Sequence, residues 1–160
     1  MAKWGVSEAT AAKCRLVRGG DDFEAIPGVR VEALRSTDAG VAYLVTADGK
    51  IIYHAGDLHW WHWEGEPKAD NGTMAANFKA FTEPLRGRRI DLAMVPLDGR
   101  LKEAEDWGLC CLLDLAELRT VIPMHQWEDY SPTERFLQKH PEWAGRILPV
   151  TQEPQSWEIP

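Results

Sequence analysis

IIYHAGD, residues 51–57, is an apolar run that ends in a glycine and an aspartate. A second apolar run, VIPMH at residues 121–125, ends in a histidine. In an open α/β sheet, ligands bind just outside the carboxyl ends of the strands, which is where Asp57 and His125 would lie. A carboxylate and a neutral imidazole are ordinary zinc ligands, so the two runs predict one edge of a metal site. A catalytic zinc normally has three protein ligands, so these two alone do not complete it.

Length, charge and cysteine usage narrow the class of protein. The chain has 160 residues, 44% of them hydrophobic, which is enough for one domain with its own core. A formal net charge of -7 argues against binding a nucleic-acid backbone, and no apolar run is long enough to cross a membrane. The three cysteines include the adjacent pair Cys110 and Cys111 and cannot form a disulfide framework. We therefore expect a cytoplasmic protein without a membrane or nucleic-acid partner.

The hydrophobic pattern predicts a hairpin region followed by alternating helices and strands, which is typical of an α/β layered fold. Residues 1–28 form a weakly patterned lead-in, residues 29–150 the core of a single domain, and residues 151–160 a tail. Strands are expected at 29–34, 41–46, 51–53, 90–95, 120–124 and 147–150, with a tight turn at Asp48-Gly49. Helices are expected at 7–14, through Met74, Phe78, Phe81 and Leu85, through Ala104, Trp107, Cys111, Leu115 and Leu118, and from the N-cap Ser131 to His140.

Three motifs, in this order along the chain, resemble a known family: HAGD at 54–57, DLAMVP at 91–96 and VIPMH at 121–125. They resemble the C-terminal half of a metallo-β-lactamase-fold metallo-hydrolase, of the cytoplasmic lactonase-like subgroup, over about residues 29–140. The resemblance implies one αβ half of an αββα sandwich. It also implies that Asp57 is the aspartate that bridges two metal ions and that His125 is the last histidine ligand.

The same resemblance implies an activity and a cofactor. A divalent metal, zinc or alternatively manganese or iron, would activate a water that attacks a small ester, lactone or phosphoester. The expected residues of the substrate cleft are His54, Trp60, Trp61, Trp63 and Asp98. From the residues alone, the tryptophans could equally cover a helix–sheet seam, and Asp98 could lie in an exposed turn. His59 and His62 could also hold a single accidental ion together with Asp57 or Glu64.

The sequence departs from the family pattern in its ligands. The His-x-His-x-Asp-His signature is absent, and Ser36-Thr37-Asp38 replaces a histidine expected after the strand at 29–34. Asp38 or Thr37 could substitute as an oxygen ligand. Three explanations stay open: a fragment of a full hydrolase, a natural half-domain that pairs with a separate N-terminal half or with itself, and a non-catalytic binding or regulatory module. Because half a sandwich leaves a sheet face and an edge uncovered, we expect the isolated chain to associate rather than form a well-behaved monomer.

Overall fold

The computed structural model of the chain describes residues 7–151 and 155–158. Its strands are β1 (Asp22–Ile26), β2 (Val29–Arg35), β3 (Val41–Ala47), β4 (Lys50–His54), β5 (Arg89–Ile90), β6 (Leu92–Pro96), β7 (Glu117–Leu118) and β8 (Val121–Met124). Its α-helices are α1 (Glu8–Ala11), α2 (Lys68–Thr82), α3 (Trp107–Leu115) and α4 (Ser131–Lys139). Short 3₁₀ helices span Glu83–Leu85, Gly99–Ala104 and Pro141–Trp143.

Six strands form one mixed sheet in the order β1-β2-β3-β4-β6-β8. The first four are joined by antiparallel pairing, and the turn between β3 and β4 uses Asp48 and Gly49 with φ of 50° and 74°. Two successive positive φ angles match the right-handed twist of a hairpin, which explains the Asp-Gly signal. From β4 onward the pairing with β6 and β8 is parallel, so the carboxyl ends of these three strands meet at one edge. The predicted α/β fold class is confirmed.

One face of this sheet forms the hydrophobic core. Leu44, Tyr53, Ala93 and Val121 are direct cross-strand neighbours on that face, and each is at most 1% exposed. Against them pack apolar side chains from the three longer helices, namely Phe78, Leu109, Leu112 and Phe136. The helices therefore lie against this face of the sheet.

The opposite face is apolar but only half covered. Two rows of side chains cross it, Phe23, Val31, Val45, Ile52 and Leu92 in one and Tyr43, His54, Met94 and Ile122 in the next. All of them stay at least partly exposed, and none belongs to the core. The expectation of self-association rests on this face and stays a prediction.

The structure corrects the predicted face of the helix before β8. Gly108, Leu109, Leu112 and Leu113 are its buried residues, whereas Trp107, which the sequence placed on the buried stripe, is 37% exposed. The helix sequence WGLCCLLDL is apolar on almost every side. Its periodicity therefore does not select a face, and tertiary packing decides.

Three further boundaries differ from the predictions. The predicted strand 90–95 is divided, because Asp91 turns aside to accept a hydrogen bond from the Ile51 backbone N–H at 2.9 Å, and β5 instead pairs with β7. The predicted strand 147–150 is reduced to one bridge between Ile147 and Val121. Ser131 is the first residue of α4 and not its N-cap.

Two local findings concern the first part of the chain, where the structure adds one strand and confirms the cap of α1. Strand β1 lies in the weakly patterned lead-in, where the sequence predicted no strand. Ser7 caps α1 as predicted, accepting a hydrogen bond from the Thr10 N–H at 3.2 Å. No helix within residues 7–151 or 155–158 is both long and apolar enough to span a lipid bilayer.

Candidate metal-binding cleft

Asp57 and His125 meet at the edge where the parallel strands end. Asp57 follows β4 through Gly56, whose φ is 54°, and a Cβ on Gly56 would lie 3.0 Å from the carbonyl oxygen of Val41. His125 follows β8 directly. The Oδ1 atom of Asp57 lies 3.3 Å from Nε2 of His125. A carboxylate oxygen and an imidazole nitrogen therefore face each other at one point.

A cleft of about 500 Å³ opens in front of this pair. Asp38 lines it together with Asp57 and His125, and so do Trp61 and Trp63. The two indole rings are parallel within 3°, with centroids 6.1 Å apart. The cleft is thus lined by two carboxylates, an imidazole and a stacked pair of indole rings.

Thr37 holds the loop that follows Asp57. Its hydroxyl donates to the carbonyl oxygen of His59 at 2.7 Å and accepts from the His59 N–H at 3.0 Å. On the same loop, the indole N–H of Trp61 donates to the carbonyl oxygen of Asp57 at 3.0 Å. Thr37 stands where the family resemblance led us to expect a histidine, and here it fixes the backbone beneath Asp57.

Asp98 lies behind the cleft and does not face it. It is fully buried and accepts from Arg100 Nε at 2.9 Å, from Arg100 Nη2 at 2.5 Å and from the Trp127 indole N–H at 3.2 Å. Burial acts to raise the pKa of Asp98, but the hydrogen bonds and charge of Arg100, with the bond from Trp127, lower it below its ordinary value. Asp98 thereby positions Arg100 and Trp127, which do line the cleft.

The segment that carries His125 has an unusual backbone. His125, Trp127 and Glu128 have φ of 62°, 48° and 66°, a region that costs a residue with a Cβ about 1 kcal/mol or more. Between them, the Gln126 side-chain amide donates to the Thr133 hydroxyl on α4. Such strain persists only where surrounding contacts impose it, and it clusters at functional sites. Sequence reasoning missed Trp127. Asp98 and Arg100 lie about thirty positions earlier in the chain, and no local pattern indicates that the fold places them beside Trp127.

The structure does not bring His54 or Trp60 to the cleft. His54 is exposed, and its Nδ1 accepts from the Gly56 N–H at 3.0 Å. Trp60 packs against Phe78 and Trp107, with ring centroids 6.0 and 5.6 Å away. Trp60 therefore covers a seam between α2 and α3, whereas the sequence had left open a seam between a helix and the sheet.

His59 and His62 do not form a joint ion site, because their rings contact different neighbours. The His62 ring lies 4.7 Å from that of Trp107. The His59 ring is fully buried, 4.9 Å from Trp61 and 6.2 Å from Phe78. Burial lowers the pKa of His59 to about 3, so this histidine is a neutral core residue.

The buried state of His59 predicts an acid-sensitive fold. Its pKa falls from 6.5 to about 3 on folding, so between these values the unfolded chain binds a proton that the folded chain does not. The free energy of unfolding should therefore fall as the pH drops through this window. Urea unfolding with a chelator present measures the slope. His59→Leu should remove this pH dependence of the free energy of unfolding, and His62→Leu should keep it. The same pH dependence in both variants would contradict a neutral, buried His59.

Asp57 and His125 have the ligand atoms that a divalent metal prefers, but two protein ligands are fewer than a catalytic zinc site uses. Within the described part of the chain, no third histidine, cysteine, aspartate or glutamate joins them closely enough to form a three-ligand group. Asp38 shares the cleft without completing such a group. The residues present would therefore supply only some of the ligands that a metal site needs.

Comparisons with known proteins bear on the fold. No family model matches the sequence, and no curated protein matches it. Among solved structures, the chain resembles a protein of Parabacteroides distasonis provisionally assigned as a metal-dependent hydrolase, with a TM-score of 0.56 and 17% identity. That likeness covers 89% of this chain and 61% of the other.

Two further structures are similar at a lower level. One is provisionally assigned as a zinc-dependent hydrolase of the metallo-β-lactamase superfamily, from Thermotoga maritima (TM-score 0.42, 18% identity, 78% of this chain, 58% of that one). The other is Zn²⁺-bound PqqB from Methylobacterium extorquens (TM-score 0.41, 14% identity, 86% of this chain, 50% of that one). This chain thus spans between 50% and 61% of the length of these neighbours. It shares its fold with the Parabacteroides protein over most of its own length.

Proposed function

We propose that this chain supplies part of the metal centre of a metallo-β-lactamase-superfamily hydrolase, as the C-terminal half of a lactonase-like member. The observation that supports this best is the approach of Asp57 Oδ1 to His125 Nε2, 3.3 Å apart. Both residues follow strands of one parallel run. Ligand sites of open α/β sheets lie at such strand ends.

In this proposal Asp57 and His125 hold a divalent cation, with Asp38 as a further oxygen ligand. Zinc suits this mixture of oxygen and nitrogen donors, and manganese and iron are the alternatives. When bound, such an ion activates a water and polarises the carbonyl or phosphoryl group of the substrate. The remaining ligands come from a second copy of the chain or from a separate N-terminal half, which would also cover the half-exposed sheet face.

The other residues of the cleft bind and orient a small ester, lactone or phosphoester. The parallel rings of Trp61 and Trp63 offer an apolar wall for the acyl part. Arg100, held by Asp98 and lying 4.6 Å from the Trp127 ring centroid, offers its guanidinium to a polar or anionic group. Trp127 is 66% exposed and its indole N–H donates to Asp98, so its ring offers a further apolar surface to a substrate in the cleft.

Metal removal tests the proposal. The purified chain is dialysed against a chelator and assayed against chromogenic esters, a lactone and phosphoesters before and after zinc, manganese or iron(II) is restored. We expect hydrolysis of at least one class to be lost with the metal and to return with it. Hydrolysis that survives chelation would overturn the role of the metal.

The second candidate is a binding or regulatory module that keeps the fold without the metal chemistry. The incomplete ligand group around Asp57 and His125 favours it. If the chain alone hydrolyses none of these substrates with any of the three metals, and mixing it with a separate N-terminal half adds no activity, this second candidate replaces the first.

A further inference from the structure

Outside the cleft, three side chains of different chemistry converge where α3 meets the end of α4. Asp106 precedes α3, Cys110 lies one turn later on that helix, and His140 directly follows α4. One ligand atom from each lies within 4.8 Å of the other two. Asp106 is buried, while Cys110 and His140 are partly exposed, so solvent reaches the cluster. We propose that Asp106, Cys110 and His140 bind a divalent cation of the zinc type, independently of the cleft.

The spacing of the donor atoms matches a tetrahedral zinc site. Zinc bonds of about 2.3 Å to sulfur and about 2.1 Å to nitrogen and oxygen place the sulfur about 3.6 Å from the nitrogen at tetrahedral angles, and the nitrogen about 3.4 Å from the oxygen. Here Cys110 Sγ lies 3.6 Å from His140 Nε2, and His140 Nε2 lies 3.4 Å from Asp106 Oδ2. The second distance is longer than the roughly 2.9 Å of an ordinary N–H···O bond. Both distances are those that a shared zinc ion would require.

The surroundings also suit a cation. The far nitrogen of the imidazole, His140 Nδ1, lies 3.7 Å from the Glu142 carboxylate, and metal-binding histidines usually direct their other ring nitrogen to such a group. The Lys139 ammonium already sits 2.5 Å from Asp106 Oδ2, so a positive charge is held at this point. Its side chain is 62% exposed and can swing into solvent when a metal takes its place.

The site would join two helices and leave one coordination position for water. Three protein ligands come from the start of α3 and the end of α4, and α4 also carries Thr133, which holds Gln126 beside His125. An ion at this junction stabilises the folded chain in proportion to its occupancy. The ion would thereby fix the position of α4, the helix whose Thr133 contacts the segment that carries His125.

Cobalt(II) spectroscopy tests the site without reference to hydrolysis. All proteins carry Asp57→Asn so that the cleft contributes as little as possible. With Cys110 present, we expect cobalt(II) to produce a thiolate-to-metal charge-transfer band in the near ultraviolet, which stoichiometric zinc removes. Cys110→Ser should abolish the band, and His140→Gln should weaken cobalt binding by at least about 10-fold. The matched control Cys111→Ser, at the neighbouring cysteine, should keep both band and affinity.

Two results would overturn the proposal: no thiolate–cobalt band in the parent protein, or a band that persists in Cys110→Ser. Circular dichroism of each variant checks that the fold is retained, and serine is close to cysteine in size. A zinc-dependent rise in Tm that is lost in both Cys110→Ser and His140→Gln would support the same site by a second readout. Because the cleft is disabled throughout, failure of the hydrolase proposal leaves these results unaffected.

Discussion

Asp57→Asn should lower kcat/KM for metal-dependent hydrolysis by at least about 10³-fold, since a metal supplies several kcal/mol of transition-state stabilisation and each factor of ten is about 1.4 kcal/mol. Asparagine keeps the shape of the side chain but removes its charge. The backbone of residue 57 is held from outside, because Trp61 donates to its carbonyl oxygen at 3.0 Å. The loss should therefore appear in catalysis, with little change in the free energy of unfolding.

His125→Asn should have a comparable effect, and asparagine is the better replacement here because it tolerates the left-handed backbone at this position. His62→Gln is the matched control, since His62 lies against Trp107 outside the cleft. Steady-state kinetics with the restored metal, together with metal content by mass spectrometry, measure all three variants. Full activity in Asp57→Asn would show that hydrolysis does not depend on Asp57 and would contradict the proposed role of the cleft.

Gly108→Ala should lower the free energy of unfolding by about 3 kcal/mol, because overpacking a filled core costs about that much. A Cβ at Gly108 would lie 2.4 Å from Cε1 and 2.5 Å from Nδ1 of His59. The ring cannot move aside easily, since His59 is fully buried and Trp61 packs against it. The substitution must therefore separate α3 from the loop that carries Asp57.

Gly72→Ala, on α2, should instead raise the free energy of unfolding. Nothing lies within 4 Å of a Cβ built at Gly72, and alanine in a helix interior is more favourable than glycine by about 0.5–1 kcal/mol. Urea unfolding of the two variants should thus shift the midpoint in opposite directions. An unchanged midpoint for Gly108→Ala would contradict the packing of His59 against α3.

The positions of most strands along the chain and the turn at Asp48-Gly49 were predictable because they depend on local rules, the period of two and the φ angles a turn requires. The approach of Asp57 to His125 also follows from a general rule, since parallel strands end at one edge of their sheet. Their roles as ligands stay a proposal.

Other features depend on contacts that no local pattern encodes. The face of α3 could not be predicted, because its sequence is apolar on nearly all sides. Asp98 was expected at the substrate, but its partners Arg100 and Trp127 enclose it behind the cleft. His140 looked like an ordinary helix end until the fold placed it beside Cys110.

From the parallel arrangement of β4, β6 and β8 we expect an order of events during folding. Strands β1 to β4 pair with their neighbours in sequence and can form early, whereas β6 and β8 each wait for an intervening helix to cross over. Asp57 reaches its position when β3 and β4 have paired, whereas His125 reaches its position only when β8 pairs with β6. We therefore expect a partly folded chain to contain part of the sheet without the approach of Asp57 to His125, which forms only with the final step of assembly.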